Sequence, residues 1–132
     1  LAPTFLSLPP CKLRKPLLHD LRAHAYIHDS YRYDVNEDGT LENRKTFAFV
    51  TPGVPDGIHV DTKGNVYAGC GDGVQVYNPS GKLLGKIYIG STSANFQFAG
   101  LGRMVILAET ELYYATLAAE GAFPGTLYQP ET

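Results

Sequence analysis

Residues 54–87, VPDGIHVDTKGNVYAGCGDGVQVYNPSGKLLGKI, restrict the fold more than any other part of the chain. Short runs rich in Val, Ile and Tyr alternate with polar residues and are cut by turn residues every few positions, the pattern of antiparallel strands. The turns Asn36-Glu37-Asp38-Gly39, Asp61-Thr62-Lys63-Gly64 and Asn78-Pro79-Ser80-Gly81 each place Asn or Asp first and Gly fourth, the type I preference. Cys70-Gly71-Asp72-Gly73 joins two Val/Tyr-rich runs as a tight hairpin. The same reading predicts strands over 24–28, 30–35, 45–50, 57–61, 65–69, 73–77, 83–89, 94–98, 102–108 and 111–117. No segment supports a helix of ordinary length; 117–122 offers at most one final turn.

The pattern repeats. Asp56-Gly57-Ile58-His59-Val60 is answered by Asn95-Phe96-Gln97-Phe98, and Asn65-Val66-Tyr67-Ala68 by Arg103-Met104-Val105-Ile106. Val74-Gln75-Val76-Tyr77 is answered by Leu112-Tyr113-Tyr114-Ala115 and, earlier, by Tyr31-Arg32-Tyr33-Asp34. Four short strands in about 40 residues make one propeller blade. The expected fold is therefore all-β, a partial β-propeller of about three four-stranded antiparallel blades. Such rings close with roughly four to eight blades, so the chain is expected to be completed by self-association, by a missing half, or by collapse onto itself. Residues 24–132 form this partial propeller. Residues 1–23, with four of the nine prolines, read as an atypical irregular segment.

Composition narrows the partners. At 44% hydrophobic and 18% charged, the chain can bury a core. A net charge of −2 with no basic cluster argues against nucleic acid, and no apolar stretch has the length of a membrane span. The two cysteines, Cys11 and Cys70, do not make a disulfide framework. Cys70, beside a glycine turn, reads as a small buried thiol. Secreted and cytoplasmic locations both stay open.

The strings DGTLENRKTFA (38–48), PDGIHVDTKGNVYAG (55–69), GVQVYNPSGKLLGKI (73–87) and ANFQFAG, followed by a strand with Tyr113-Tyr114, resemble the gluconolactonase / senescence-marker-protein / luciferin-regenerating-enzyme family over residues 24–118. The resemblance implies a six-bladed propeller and a lactonase that hydrolyses a sugar lactone or related ester with one divalent cation, calcium first, zinc or manganese as alternatives. It implies a ligand set of one Glu, two Asn and the Asp of a Pro-Asp-Gly motif. Only the last has a counterpart here, Asp56, as metal ligand and general base. The family's Pro-Asn-Gly strand, expected upstream of Tyr26-Ile27-His28-Asp29-Ser30, is missing, and CKLRKPLLHD stands in its place. Residues 1–23 thus read as replaced.

Among single residues, Asp56 is the candidate catalytic and metal-binding carboxylate, against the plainer reading of a turn cap. His59, opposite in direction to Ile58 and Val60, and Asn95, at the head of the next inner strand, are the candidate substrate contacts, against packing duty between sheets. Asp34-Val35-Asn36-Glu37-Asp38-Gly39 imitates a calcium loop, but Lys45 stands where its last ligand belongs and the flanks are strands, so a turn is expected. His24 and His28 share a strand face with Tyr26 and lack a third ligand. Three readings remain: a divalent-metal lactonase incomplete in this chain, acting on a small lactone or sugar; a self-associating, non-catalytic sugar- or protein-binding module; or a folded remnant with no independent role.

Overall fold

The computed structural model describes residues 19–23 and 28–122. Cys11, His24 and Tyr26, with most of the expected strand over 24–28, lie outside the described residues. The described residues form ten strands and no helix: β1 His19–Ala23, β2 Asp29–Val35, β3 Leu41–Phe49, β4 Ile58–Val60, β5 Val66–Cys70, β6 Gly73–Tyr77, β7 Leu83–Tyr88, β8 Asn95–Phe98, β9 Arg103–Ala108 and β10 Glu111–Thr116. All pairings are antiparallel, in three sheets with spatial orders β1-β2-β3, β4-β5-β6-β7 and β8-β9-β10. Strand β4 lies alongside both β1 and β8. The innermost strands of the three sheets are therefore neighbours, and the sheets fan outward from them as an open arc of propeller blades.

The turn chemistry acts as its residues dictate. Gly39, Gly64 and Gly81 donate their amides to the carbonyls of Asn36, Asp61 and Asn78 at 3.0, 3.0 and 2.9 Å. All three glycines have φ between 81° and 86°, a region that only glycine enters without strain. Asp38 Oδ1 accepts from the Thr40 amide and hydroxyl at 2.9 and 2.6 Å, so the calcium-loop look-alike is a hairpin turn.

Strand alternation builds two cores. Ala48 and Val50 pack with Val66, Ala68, Cys70 and Tyr77 between the first two sheets. Tyr67 and Val74 pack with Phe96, Phe98, Met104 and Ile106 between the second and third. The middle sheet is covered on both faces, which is why every residue of β5 is buried and why that strand reads as Val-Tyr-Ala-Gly-Cys rather than as an alternation.

Among the described residues the outer sheets show three strands each and the middle sheet four. Two expectations change. Strand β1 lies inside the segment that the sequence left irregular, held by β2 in register His19↔Asp34 through Ala23↔Ser30. It pairs with the next strand in sequence, and HDLRA carries no strand signature of its own. Residues 117–122 make no helical turn. They return across the fold, and Gly121 bridges Asp61 beside β4. A Cβ on Gly121 would come within 2.4 Å of the Phe98 Cβ, so the return depends on glycine.

Candidate functional site

The head of β4 is clamped from both sides by backbone. The Asp56 amide donates to the Gly69 carbonyl at 3.1 Å, and the Gly69 amide to the Gly57 carbonyl at 2.9 Å. On the other side the Gly57 amide donates to the Ala94 carbonyl at 3.1 Å. Pro55 is fully buried, whereas Asp56 is exposed. The Pro-Asp-Gly string thus has three separable duties. Pro55 anchors, Asp56 projects, and Gly57 admits the next inner strand: a Cβ there would lie 2.4 Å from Asn95 Oδ1.

Gly57 and Asn95 are therefore brought together at the heads of adjacent inner strands, with Asp56 immediately before Gly57. The Asp56 carboxylate makes no hydrogen bond or ion pair among the described residues, so it is available to a ligand. Asn95 Oδ1 already accepts from the Phe96 amide at 2.8 Å, which leaves its Nδ2 as the group that faces outward chemistry. His59 lies further along β4. Its ring sits edge-on to Phe96, with centroids 4.9 Å apart, on the side of the core between the second and third sheets. The same rim carries the Asp72–Lys86 ion pair at 2.8 Å, and the Lys86 hydrogen bond holds the Asp72 carboxyl below its usual range. Cys70 is fully buried and donates to Asp72 Oδ1 and the Gly73 carbonyl at 3.3 and 3.2 Å. Burial pushes its thiol up, so it is a structural sulfur and no nucleophile. His28 donates from Nδ1 toward the Gly53 carbonyl at 2.6 Å.

Sequence reading treated Asp61 only as a turn residue. It is 3% exposed, and both its oxygens are spent: Oδ1 on the Lys63 and Asn65 amides at 2.8 and 2.9 Å, Oδ2 on Asn65 Nδ2 and the Tyr67 hydroxyl at 2.9 and 3.2 Å. A carboxylate with four donors needs no cation. The signal was present in Asn65 and Tyr67, four and six residues on. A cleft of about 430 Å³ opens beside it, lined by Lys63, Leu101, Leu117, Ala119 and Glu120 among others. That cleft is at the far end of β4 from Asp56 and holds none of the expected site residues.

A family profile described as the SMP-30/Gluconolactonase/LRE-like region matches residues 24–110. The chain belongs to this family. A lactonohydrolase from Aspergillus oryzae is 38% identical over 71 residues, 53% of this chain and 15% of that protein. A structure designated a gluconolactonase is 31% identical and superimposes with a TM-score of 0.73, covering 78% of this chain and 36% of its own. A gluconolactonase from Xanthomonas campestris, described as important in glucose secondary metabolic pathways, is 33% identical with a TM-score of 0.59, covering 67% and 29%. A luciferin-regenerating enzyme, at 18% identity and a TM-score of 0.68, shares the fold. The chain spans 15% to 42% of the lengths of these relatives.

The gluconolactonase-like resemblance implied a cation beside Asp56. Among the described residues no three His, Cys, Asp or Glu come together. One projecting carboxylate and one amide do not supply the roughly six to eight oxygens that a calcium ion takes. The described residues do not form a cation site by themselves.

Proposed function

We propose that this chain carries one corner of a lactone-hydrolysing site, with Asp56 as its reactive carboxylate and Asn95 as its hydrogen-bonding partner. The observation that carries the reading is the placing of Asp56, exposed and unpaired, at the clamped head of β4, in a chain of the gluconolactonase-like family. A carboxylate held there accepts a proton from a water that attacks the lactone carbonyl. The tetrahedral adduct collapses with cleavage of the ring C–O bond, the ring oxygen takes a proton, and the product is the open hydroxy acid. Asn95 Nδ2 donates to a ring hydroxyl or to the carbonyl oxygen and orients the lactone. His59 is assigned to the wall of the site through its contact with Phe96. Metal-dependent turnover belongs to a site completed by donors outside the described residues, and a divalent cation, calcium first, is the proposed addition.

The test is an NMR titration of the chain with a stable lactam analogue of gluconolactone, beside a hydrolysis assay with gluconolactone plus calcium, zinc or manganese. Shifts are expected at Asp56, Gly57 and Asn95 and are lost in Asp56→Ala; the chain alone shows no metal-stimulated turnover. Shifts confined to the cleft at Leu117 and Leu101, or full binding by Asp56→Ala, refute the assignment. The second reading, a non-catalytic sugar-binding module, is favoured by the incomplete donor set. Analogue binding at Asp56 with no hydrolysis under any completed assembly selects it.

A further inference from the structure

The two ends of the arc are dressed differently. At the first sheet, the exposed stretch of β3 is Glu42, Asn43, Arg44, Lys45 and Thr46, and the Arg44 guanidinium lies 4.9 Å over the Tyr31 ring. That end is hydrated by charge. At the third sheet, alternation sends Met104 and Ile106 of β9 into the core and leaves Arg103, Val105 and Leu107 on the outward face with Leu112, Tyr114 and Thr116 of β10. The register sets Leu107 opposite Leu112 and Val105 opposite Tyr114, so these four make one continuous apolar patch. Leu107, Leu112 and Tyr114 are 49%, 66% and 61% exposed. Contiguous apolar surface of this kind marks an interaction site.

We infer that this face binds a second copy of the chain, sheet to sheet, about a two-fold axis that lies between the sheets and across the strands. Charge placement selects that arrangement. Arg103 opens β9 at one end of the face, and Glu109 stands in the β9–β10 turn at the other, both exposed. With the strands of the two copies running in opposite senses, each Arg103 lies over the partner copy's Glu109 end, and the apolar patches meet at the centre. The contact uses the same surface twice and closes at two copies. A head-to-tail assembly would need the β2–β3 end, where Glu42, Arg44 and Lys45 are exposed and charged. Edge pairing along β10 would leave Leu107, Leu112 and Tyr114 in water. Three strands of this length cover roughly 14 by 20 Å, less than the approximately 800 Å² per partner of a standard interface. The dimer is accordingly a weak one, exchanging in the micromolar range. Asn95 of β8 stands opposite Leu107 and Gln97 opposite Val105 at the margin of this face, so a lactone held by Asn95 would compete with the dimer, whereas association itself is read without any lactone.

Sedimentation velocity across the micromolar range tests it. The chain is expected to move from monomer to dimer as concentration rises. Leu112→Asp, at a surface position, is expected to keep the β-sheet circular dichroism and remain monomeric. Arg103→Glu weakens the dimer, and adding Glu109→Arg to it restores association. A chain that stays monomeric throughout, species that grow beyond two copies, or a dimer indifferent to Leu112→Asp overturns the inference. A dimer abolished by Leu112→Asp but untouched by the charge exchanges overturns the strand-reversed orientation.

Discussion

Replacing Asp61 by Ala removes the most connected buried side chain described in the molecule. Four donors lose their acceptor: the Lys63 and Asn65 amides, Asn65 Nδ2 and the Tyr67 hydroxyl. The two turn amides lie near water and recover part of the loss, at a cost of about 1 kcal/mol each. The Tyr67 hydroxyl is buried and is left unpaired, which costs about 1–3 kcal/mol. The sum is about 3–5 kcal/mol, a large share of the 5–15 kcal/mol that holds a typical domain. The melting temperature followed by circular dichroism is expected to fall by roughly 10–25 °C, at about 3–5 °C per kcal/mol for a chain of this length. Tyr67→Phe removes one bond from the same network, so the pair is expected to couple by about 1 kcal/mol or more in a double-mutant cycle. A loss below about 1 kcal/mol for Asp61→Ala, or additivity of the two substitutions, refutes the claim that this carboxylate is held for structure. Asp61→Asn keeps an acceptor for the turn amides and is expected to cost less than Ala.

Three further outcomes follow from buried groups. Ser93 is fully buried and its Oγ has no hydrogen-bond partner, so Ser93→Ala is expected to be neutral or to stabilise by up to about 1–2 kcal/mol; a clear loss in chemical denaturation would show a hidden partner. Cys70 is buried with its thiol pushed up by burial, so in a Cys11→Ala background an aromatic disulfide reagent is expected to label it at the rate of unfolding; immediate labelling of that native variant contradicts the packing. Tyr67 and Tyr77 are both pushed up to about 12, chiefly by burial, with Asp61 adding for Tyr67 and Cys70 for Tyr77. A raised phenol favours the fold fully below the unfolded value near 10 and loses that contribution as pH rises toward 12. Phenolate absorbance from these two is expected to appear together with unfolding in that window; their ionisation at pH 10 in the folded protein would refute it.

The all-β class, the positions of nine of the ten strands and the turn types were legible because each depends on neighbours in sequence. An Asn or Asp first and a Gly fourth makes its own turn. A period of two declares a strand that has one face to bury. Strand β1 was not legible, because β2 and not HDLRA decides its state. The extended return of 117–122 was missed for the same reason: Thr62 donates to the Glu120 carbonyl at 2.8 Å and Ala122 to the Val60 carbonyl at 2.9 Å, partners some sixty residues away. Of the proposed site, Asp56 and Asn95 were chosen from the motif and the repeat, and the structure adds that both are exposed and that Asn95 lies against Gly57. The direction of His59 could be named too, since its neighbours Ile58 and Val60 face the opposite core. That its ring would meet Phe96 could not, and neither could the closed hydrogen-bond set of Asp61.

The amino-acid order by itself determined a chain of short antiparallel strands in blade-sized groups, with a carboxylate at the head of one inner strand. Those features need only local sterics, turn preference and alternation. Tertiary structure decided which strands flank which, that Gly57 lets Asn95 come against the head of β4, and that the Asp61 carboxylate is fully paired while the Ser93 hydroxyl is not. It also decided that one end of the arc is wrapped in charge and the other is left apolar. Such outcomes depend on distances between segments far apart in the chain, and no residue's own preference carries that information.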